Sequence, residues 1–142
     1  MDLLLQYALQ FVGKPYRWGG NGVLGIDCSG LVQEILAAGG EDPEGDQTAQ
    51  GLFDYFNANG RAEWNAYKLG ALAFYGESVT KITHVAFCVD QYRCIEAGGG
   101  GSKTTTPEIA ESQGAMVRMR LITRRRDLAA VLRPRYRAVG SI

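Results

Sequence analysis

One cysteine, one histidine and one glutamate have the chemical types of a nucleophile, a base and an orienting group. Cys28 lies in "DCSGLVQEIL", behind a glycine-rich segment, and His84 is the only histidine of the 142 residues. Glu96 follows His84 by twelve positions. Acyl transfer through a thioester requires a thiol activated by an imidazole, which a carboxylate can hold in one tautomer.

Cys28 stands at the start of a helix that we predict over residues 28–38. The apolar residues behind it recur at helical spacing: Leu31, Val32, Ile35 and Leu36. Asp27 and Ser29 complete a polar helix start. Backbone N–H groups and the helix dipole at such a start favour a thiolate and can also stabilise an oxyanion. The alternative is that Cys28 is a small buried filler.

His84 falls inside "ITHVAFCVD", which we predict to be a strand. The two-residue period places His84, Ala86 and Cys88 on one face, and Val85, Phe87 and Val89 on the other. A lone histidine in a strand is often a packing residue. If "RCIEAG" pairs back as a hairpin, however, Glu96 or a near neighbour lies opposite His84 and can orient its ring.

The remaining elements must bring these residues together. Periodicity predicts helices over 2–12, 28–38 and 47–58, with Asp46 as N-cap of the third and Asn59–Gly60 as its stop. The predicted strands are "ALAFYG", "ITHVAFCVD", "RCIEAG" and "AMVRMRLI", whereas "LAAVLRPRY" is ambiguous because Pro134 limits a helix there. Helices followed by closely spaced strands indicate an α+β fold, with N-terminal helices packed on an antiparallel sheet, in one domain over 1–142.

Composition excludes several classes of protein. A hydrophobic content of 46% and a charged content of 21% are typical of a soluble globular chain, and no apolar run approaches the ~18 residues of a membrane span. "MDLLLQYALQFVG" lacks the basic region of a secretory signal.

Three cysteines do not suggest a disulfide framework. Zinc bound by Cys28, His84, Cys88 and Cys94 is an alternative, but no C-x-x-C or H-x-x-x-H spacing supports it, so we expect no metal or cofactor.

Charge is distributed unevenly along the chain although the net charge is zero. Residues 1–117 carry 7 basic and 14 acidic side chains, giving −7, and residues 118–142 carry 8 arginines and one aspartate, giving +7. The arginine-rich segment could meet an anionic surface. The pattern favours the solvent face of strands instead, because "MVRMRLI" alternates apolar residues with arginine. We expect no nucleic-acid partner.

The motifs "PYRWGG…DCSGLVQ", "GALAFYG" and "THVAFCVD" occur in the order found in the NlpC family of cell-wall peptidases. The chain resembles this family from about Leu3 to Tyr136. The resemblance implies a papain-like fold and a peptidase that cuts peptidoglycan stem peptides, typically at a D-glutamyl–diamino acid bond. It makes Cys28 the nucleophile, His84 the general base and Glu96 the third residue. It also places Tyr16 beside the nucleophile, where its hydroxyl could support the oxyanion or its ring could simply pack.

Three positions depart from the family pattern. The third residue, most often histidine, is Glu96 here, and Ala71 stands where aspartate is common. The usual arginine is missing from "GDQTAQG". A carboxylate can orient an imidazole as well, so these departures concern the substrate pocket more than the nucleophile.

Two other functions stay open at this point. One is a non-catalytic protein that binds cell-wall material or forms part of a phage tail, and the other is a related thiol amidase or acyltransferase. Because neither a signal peptide nor a wall-binding repeat is recognised, we expect a phage-encoded protein, carried in the virion or released at lysis, or one that a dedicated secretion system delivers.

Overall fold

The computed structural model describes residues 1–22 and 25–136. Residues 23 and 24 of the glycine-rich loop 19–25, and residues 137–142 of the arginine-rich segment, lie outside this description. In chain order the elements are α1 (Asp2–Leu9), β1 (Asn21–Gly22), β2 (Gly25–Ile26), α2 (Cys28–Ala38), α3 (Ala49–Asn57), β3 (Ala62–Trp64), β4 (Leu72–Gly76), β5 (Ile82–Cys88), β6 (Arg93–Gly98), α4 (Pro107–Gln113), β7 (Met116–Leu121), a 3₁₀ turn (Ile122–Arg124) and β8 (Leu128–Pro134).

Six strands form one antiparallel sheet in the order β3-β8-β4-β5-β6-β7, and β1 and β2 form a separate short pair. The α+β class predicted from the sequence is therefore confirmed. The ambiguous segment "LAAVLRPRY" supplies β8, which lies between β3 and β4 and ends at Pro134. A proline is tolerated at this strand end because the ladder needs no further N–H group there.

The helices follow the apolar periodicity, with corrections at their ends. Helix α2 has the predicted bounds, whereas α1 ends at Leu9 and not at residue 12. The prediction that Asp46 caps α3 is wrong, because the hydroxyl of Thr48 caps it. Asp46 instead accepts a hydrogen bond from the amide of Gln33 at 3.1 Å. Asn59–Gly60, where both residues have positive φ, follows the end of α3 as predicted.

The sheet buries side chains on both faces. Val85 and Phe87 belong to the larger core, with the apolar side of α2 and α3. Ala86 and Cys88 lie in a smaller cluster that Ile122 helps to close. The predicted alternation along β5 is therefore confirmed. Full burial of a side chain such as Phe87 contributes roughly 1.5–3 kcal/mol, so the packing on both faces fixes the position of β5.

Sequence analysis missed α4 and the short strands β1, β2 and β3. The signals for α4 are present, since Thr106 is its N-cap, Pro107 opens its first turn and Gly114 ends it in the left-handed conformation. At seven residues, however, it is too short to show a clear apolar period. Among residues 1–22 and 25–136, no helix combines the length and apolar character needed to cross a membrane.

Candidate active site

Cys28 is the first residue of α2, and the loop before the helix determines its position. Asp27 caps the helix: one carboxylate oxygen accepts from the Gly30 N–H at 2.7 Å, and the other accepts from the Gly19 N–H at 2.9 Å. Asp27 thereby ties the glycine-rich loop to the helix start. Cys28 is partly exposed, so its thiol is accessible at the positive end of the helix dipole.

His84 lies between Cys28 and Glu96. The imidazole is 7% exposed, its Nε2 contacts Oε2 of Glu96, and its ring lies close enough to the Cys28 side chain for Cys28 to affect its pKa. Since Nε2 is engaged by the carboxylate, Nδ1 is the ring nitrogen left for the thiol. The structure thus brings together three residues that are far apart in the sequence, each on a different element.

The hairpin between β5 and β6 has a different register from the simplest prediction. The paired residues are Phe87↔Ile95 and Cys88↔Cys94. Counting on from these pairs, Ala86 stands across from Glu96, and His84 is the diagonal neighbour of Glu96. Diagonal neighbours share a face, and a long side chain can bridge the 7–8 Å between them. Glu96 therefore reaches His84 although it is not directly opposite.

The second oxygen of Glu96 has its own partner. Oε1 accepts a hydrogen bond from Nη2 of Arg124 at 2.9 Å, so both carboxylate oxygens are engaged. Glu96 is 4% exposed, and burial alone would raise its pKa. The hydrogen bonds and positive charges of His84 and Arg124 outweigh burial and lower the pKa of Glu96 to about 2.

The same contacts favour the charged form of His84. Burial alone would lower the pKa of the imidazole, but hydrogen bonds to Cys28 and Glu96, and the negative charges of both, raise it to about 9. An imidazolium beside a buried carboxylate is stabilised by the negative charge of that carboxylate. This arrangement holds a proton ready for transfer beside an accessible sulfur.

Tyr16 and Ser29 lie close to the nucleophile. Burial, together with the negative charges of Cys28 and Asp27, raises the pKa of Tyr16, so its hydroxyl stays protonated and can donate a hydrogen bond. The Ser29 hydroxyl points to Asp27 Oδ1 at 3.4 Å, which is a weak contact. The Tyr16 ring is buried against the chain at Gly100, where a Cβ atom would lie 2.8 Å from its Cγ and Cε1 atoms.

The other two cysteines lie away from this row. Cys88 and Cys94 are paired neighbours on β5 and β6, fully buried in the smaller cluster. Throughout residues 1–22 and 25–136, no group of three or more histidine, cysteine, aspartate or glutamate side chains could hold a metal ion.

Sequence reasoning missed Arg124 and Tyr75. Arg124 is one of eight arginines in its segment, and nothing in the local pattern distinguishes it from the others. Tyr75 lies beside the His84 ring with centroids 5.5 Å apart, and its hydroxyl donates to the Ile122 carbonyl at 2.7 Å. Only the register of β4 and the turn after β7 reveal these contacts.

Comparison with known proteins places this geometry in a family. The model of the NlpC/P60 family matches residues 13–126. The chain belongs to the NlpC/P60 family. The match covers α2, β5 and β6, and hence Cys28, His84 and Glu96.

Several members of the NlpC/P60 family are similar to this chain. The bifunctional muramidase/DL-endopeptidase CwlT of Bacillus subtilis is 33% identical over 103 residues, which are 70% of this chain and 30% of CwlT. The gamma-D-glutamyl-L-lysine dipeptidyl-peptidase of Bacillus subtilis is 31% identical over 111 residues, which are 77% of this chain and 33% of that protein. The chain thus spans about a third of the length of these curated relatives.

A solved NlpC/P60 structure shows the same fold. RipD of Mycobacterium tuberculosis, described as a non-catalytic NlpC/p60 domain protein adapted to peptidoglycan binding, superposes with a TM-score of 0.66 at 18% identity. The match covers 94% of this chain and 95% of RipD. At this identity the likeness concerns the fold alone.

Proposed function

We propose that this NlpC/P60 protein is a cysteine peptidase that hydrolyses peptidoglycan stem peptides, at a D-glutamyl–diamino acid bond. The observation that carries the proposal is the row of Cys28, His84 and Glu96, in which an accessible sulfur lies at a helix start beside an imidazole held by a buried carboxylate. The names of the relatives support the class of substrate, since they include a DL-endopeptidase and a gamma-D-glutamyl-L-lysine dipeptidyl-peptidase.

The proposed reaction proceeds through a thioester. The Cys28 sulfur attacks the carbonyl carbon of the scissile amide, and N–H groups of the first turn of α2, together with the Tyr16 hydroxyl, stabilise the oxyanion. The C–N bond then breaks, and the imidazolium of His84 gives its proton to the leaving amine. A water molecule then loses a proton to His84 and attacks the thioester carbonyl. The C–S bond breaks, which releases the acid and leaves Cys28 as the thiolate beside the imidazolium of His84.

The test is digestion of defined muropeptides by the purified protein, read by mass spectrometry. We expect two fragments, with a new carboxyl group on D-glutamate and a new amino group on the diamino acid. Cys28→Ala serves as the control and should yield no fragments while binding the same muropeptides. Cleavage between the glycan and the stem peptide would assign an amidase instead.

The second candidate is a protein that binds peptidoglycan without cutting it. RipD, which is described as non-catalytic and adapted to peptidoglycan binding, has the same fold, so the fold itself is compatible with this second candidate. A thiol at a helix start close to an imidazole argues for catalysis, since wall binding needs neither. Binding without fragments from the unmodified protein would support this second candidate. The anionic-surface partner and the route to the wall stay predictions.

A further inference from the structure

Beyond the three residues of the proposed triad, we propose that Arg124 is a positioning residue that holds the Glu96 carboxylate in place against His84. The inference rests on the proposed function, because it extends the same catalytic row by a fourth group. Arg124 does not touch the thiol or the imidazole in this arrangement. It acts through Glu96.

The contact geometry shows why a carboxylate in this place needs a second partner. Oε2 of Glu96 contacts His84, and Oε1 accepts from Arg124 at 2.9 Å. A carboxylate bound at both oxygens cannot rotate about its terminal bond without losing a hydrogen bond. Without Arg124, Oε1 would lose its ionic partner within a residue that is 4% exposed, and the charged carboxylate would turn toward water.

The backbone beneath Arg124 is anchored from two sides. Arg124 ends the 3₁₀ turn that follows β7, and Ile122 begins this turn, fully buried. The Ile122 carbonyl accepts from the Tyr75 hydroxyl at 2.7 Å, and its N–H donates to the Tyr92 carbonyl at 2.8 Å. The guanidinium therefore extends from a fixed point. Its side chain is 45% exposed, so its role is to orient Glu96 rather than to bury a charge.

The pocket around Glu96 supplies a matched control. Its lining includes Arg118, Arg120 and Arg124. The Arg118 guanidinium donates to the Gly114 carbonyl at 2.6 Å, whereas that of Arg124 donates to Glu96. Arg120 carries the same charge on the same side of the sheet as Glu96, since Arg120 pairs with Cys94 and Arg118 pairs with Glu96. Arg120→Met thus removes an equal charge from the pocket and leaves the Arg124–Glu96 contact in place.

The decisive measurement is the pKa of His84, followed by NMR. His84 is the only histidine, so its ring signals are unambiguous. The titratable groups around the imidazole are Cys28, Glu96, Tyr75 and Asp127. If Arg124 acted only as a nearby positive charge, its removal would raise the pKa of His84. If Arg124 positions Glu96, its removal frees the carboxylate and lowers that pKa.

We expect Arg124→Met to lower the pKa of His84, in the same direction as Glu96→Gln, while Arg120→Met leaves it unchanged or slightly raised. Arg124→Lys should lower the pKa of His84 by less than Arg124→Met does, because lysine keeps the charge but lacks the planar fork. If Arg124→Met does not fold, a lowered pKa of His84 in Arg124→Lys still supports the positioning role, and an unchanged or raised pKa overturns it. An unchanged or raised pKa in folded Arg124→Met, or an equal fall in Arg120→Met, would overturn the proposal.

Kinetics on a soluble muropeptide provide the second readout. Arg124→Met should lower kcat about tenfold and change KM little, because in the proposed role Arg124 acts on the imidazole through Glu96 and not on the substrate. The NMR titration needs no substrate. A protein that hydrolyses nothing but shows the expected fall in the pKa of His84 would refute the proposed function and still support the positioning role. A normal kcat in folded Arg124→Met would refute the positioning role alone.

Discussion

At the scale of single residues, the third member of the row sets the charge of the site. The family resemblance leads us to expect histidine at the position of Glu96. A neutral partner offers His84 only a hydrogen bond, whereas a carboxylate adds a negative charge that favours the imidazolium. The charged carboxylate is maintained by its contacts with His84 and Arg124. The site therefore holds a proton on His84 over a wide range of pH.

Replacing Glu96 by glutamine should separate geometry from charge. Glutamine has nearly the same shape but is neutral, so it stabilises the imidazolium less. We expect kcat to fall by about 10- to 10⁴-fold, by analogy with other triads. Rates measured on a defined muropeptide test this, with folding checked by circular dichroism. Full activity of Glu96→Gln would show that another group orients His84.

The three cysteines should differ sharply in reactivity. Cys28 is accessible, whereas Cys88 and Cys94 are fully buried, and burial raises the pKa of both buried thiols. Iodoacetamide at about pH 6 should alkylate Cys28 on the order of 10²-fold faster than the other two. Peptide mapping by mass spectrometry measures the three rates, and the protein unfolded in urea serves as the control. Equal rates in the folded protein would remove Cys28 as the nucleophile.

At the scale of elements, α2, β5 and β6 carry Cys28, His84 and Glu96, and the loops and turns between elements determine how these side chains meet. The sequence predicted α2 and β6 at their observed bounds, because both have a clear apolar period. It also indicated Cys28, His84 and Glu96 by their chemical types. The register of the β5–β6 hairpin could not be read in the same way, since a shift of two residues leaves every side chain on the same face. The sequence did not indicate Arg124 either, because its contact with Glu96 depends on the 3₁₀ turn after β7, which no apolar periodicity predicts.

The loop after β6 supports Tyr16 at one glycine. A Cβ atom on Gly100 would lie 2.8 Å from two atoms of the buried Tyr16 ring. Gly100→Ala should therefore displace the ring and lower kcat, and the overpacking should cost about 1–3 kcal/mol of unfolding free energy. Gly101→Ala is the matched control, because a Cβ atom there meets nothing within 4 Å. Kinetics and urea denaturation of both variants test this, and equal behaviour of the two would contradict it.

At the scale of the whole molecule, the buried pair links stability to pH. The pKa of Glu96 is lowered from 4.5 to about 2, so its contribution is present above pH 4.5 and is lost as the pH falls toward 2. The pKa of His84 is raised from 6.5 to about 9, so its contribution is present below pH 6.5 and is lost as the pH rises through 9. The pair therefore stabilises the fold most between pH 4.5 and 6.5.

Urea denaturation at a series of pH values tests this dependence. We expect the free energy of unfolding to fall on both sides of that window, by on the order of 2 kcal/mol on each side. In Glu96→Gln the free energy of unfolding should fall less as the pH drops below 4.5. Part of the fall will remain, because the pKa values of Asp90 and Asp127 are also lowered by their partners. An unchanged acid side in Glu96→Gln would mean that the carboxylate is not ionised and paired in the native state.

The place of β8 in the sheet has a consequence for synthesis on the ribosome. This strand comes last among the described strands, yet it pairs with both β3 and β4 inside the sheet. Until residue 134 has left the exit tunnel, β4 therefore presents an open edge in the nascent chain. The partners of His84 also reach as far along the chain as Arg124, through Glu96. A ribosome-bound chain thus carries Cys28 long before it carries Glu96 and Arg124, so the row of contacts around His84 can form only after residue 124 has emerged.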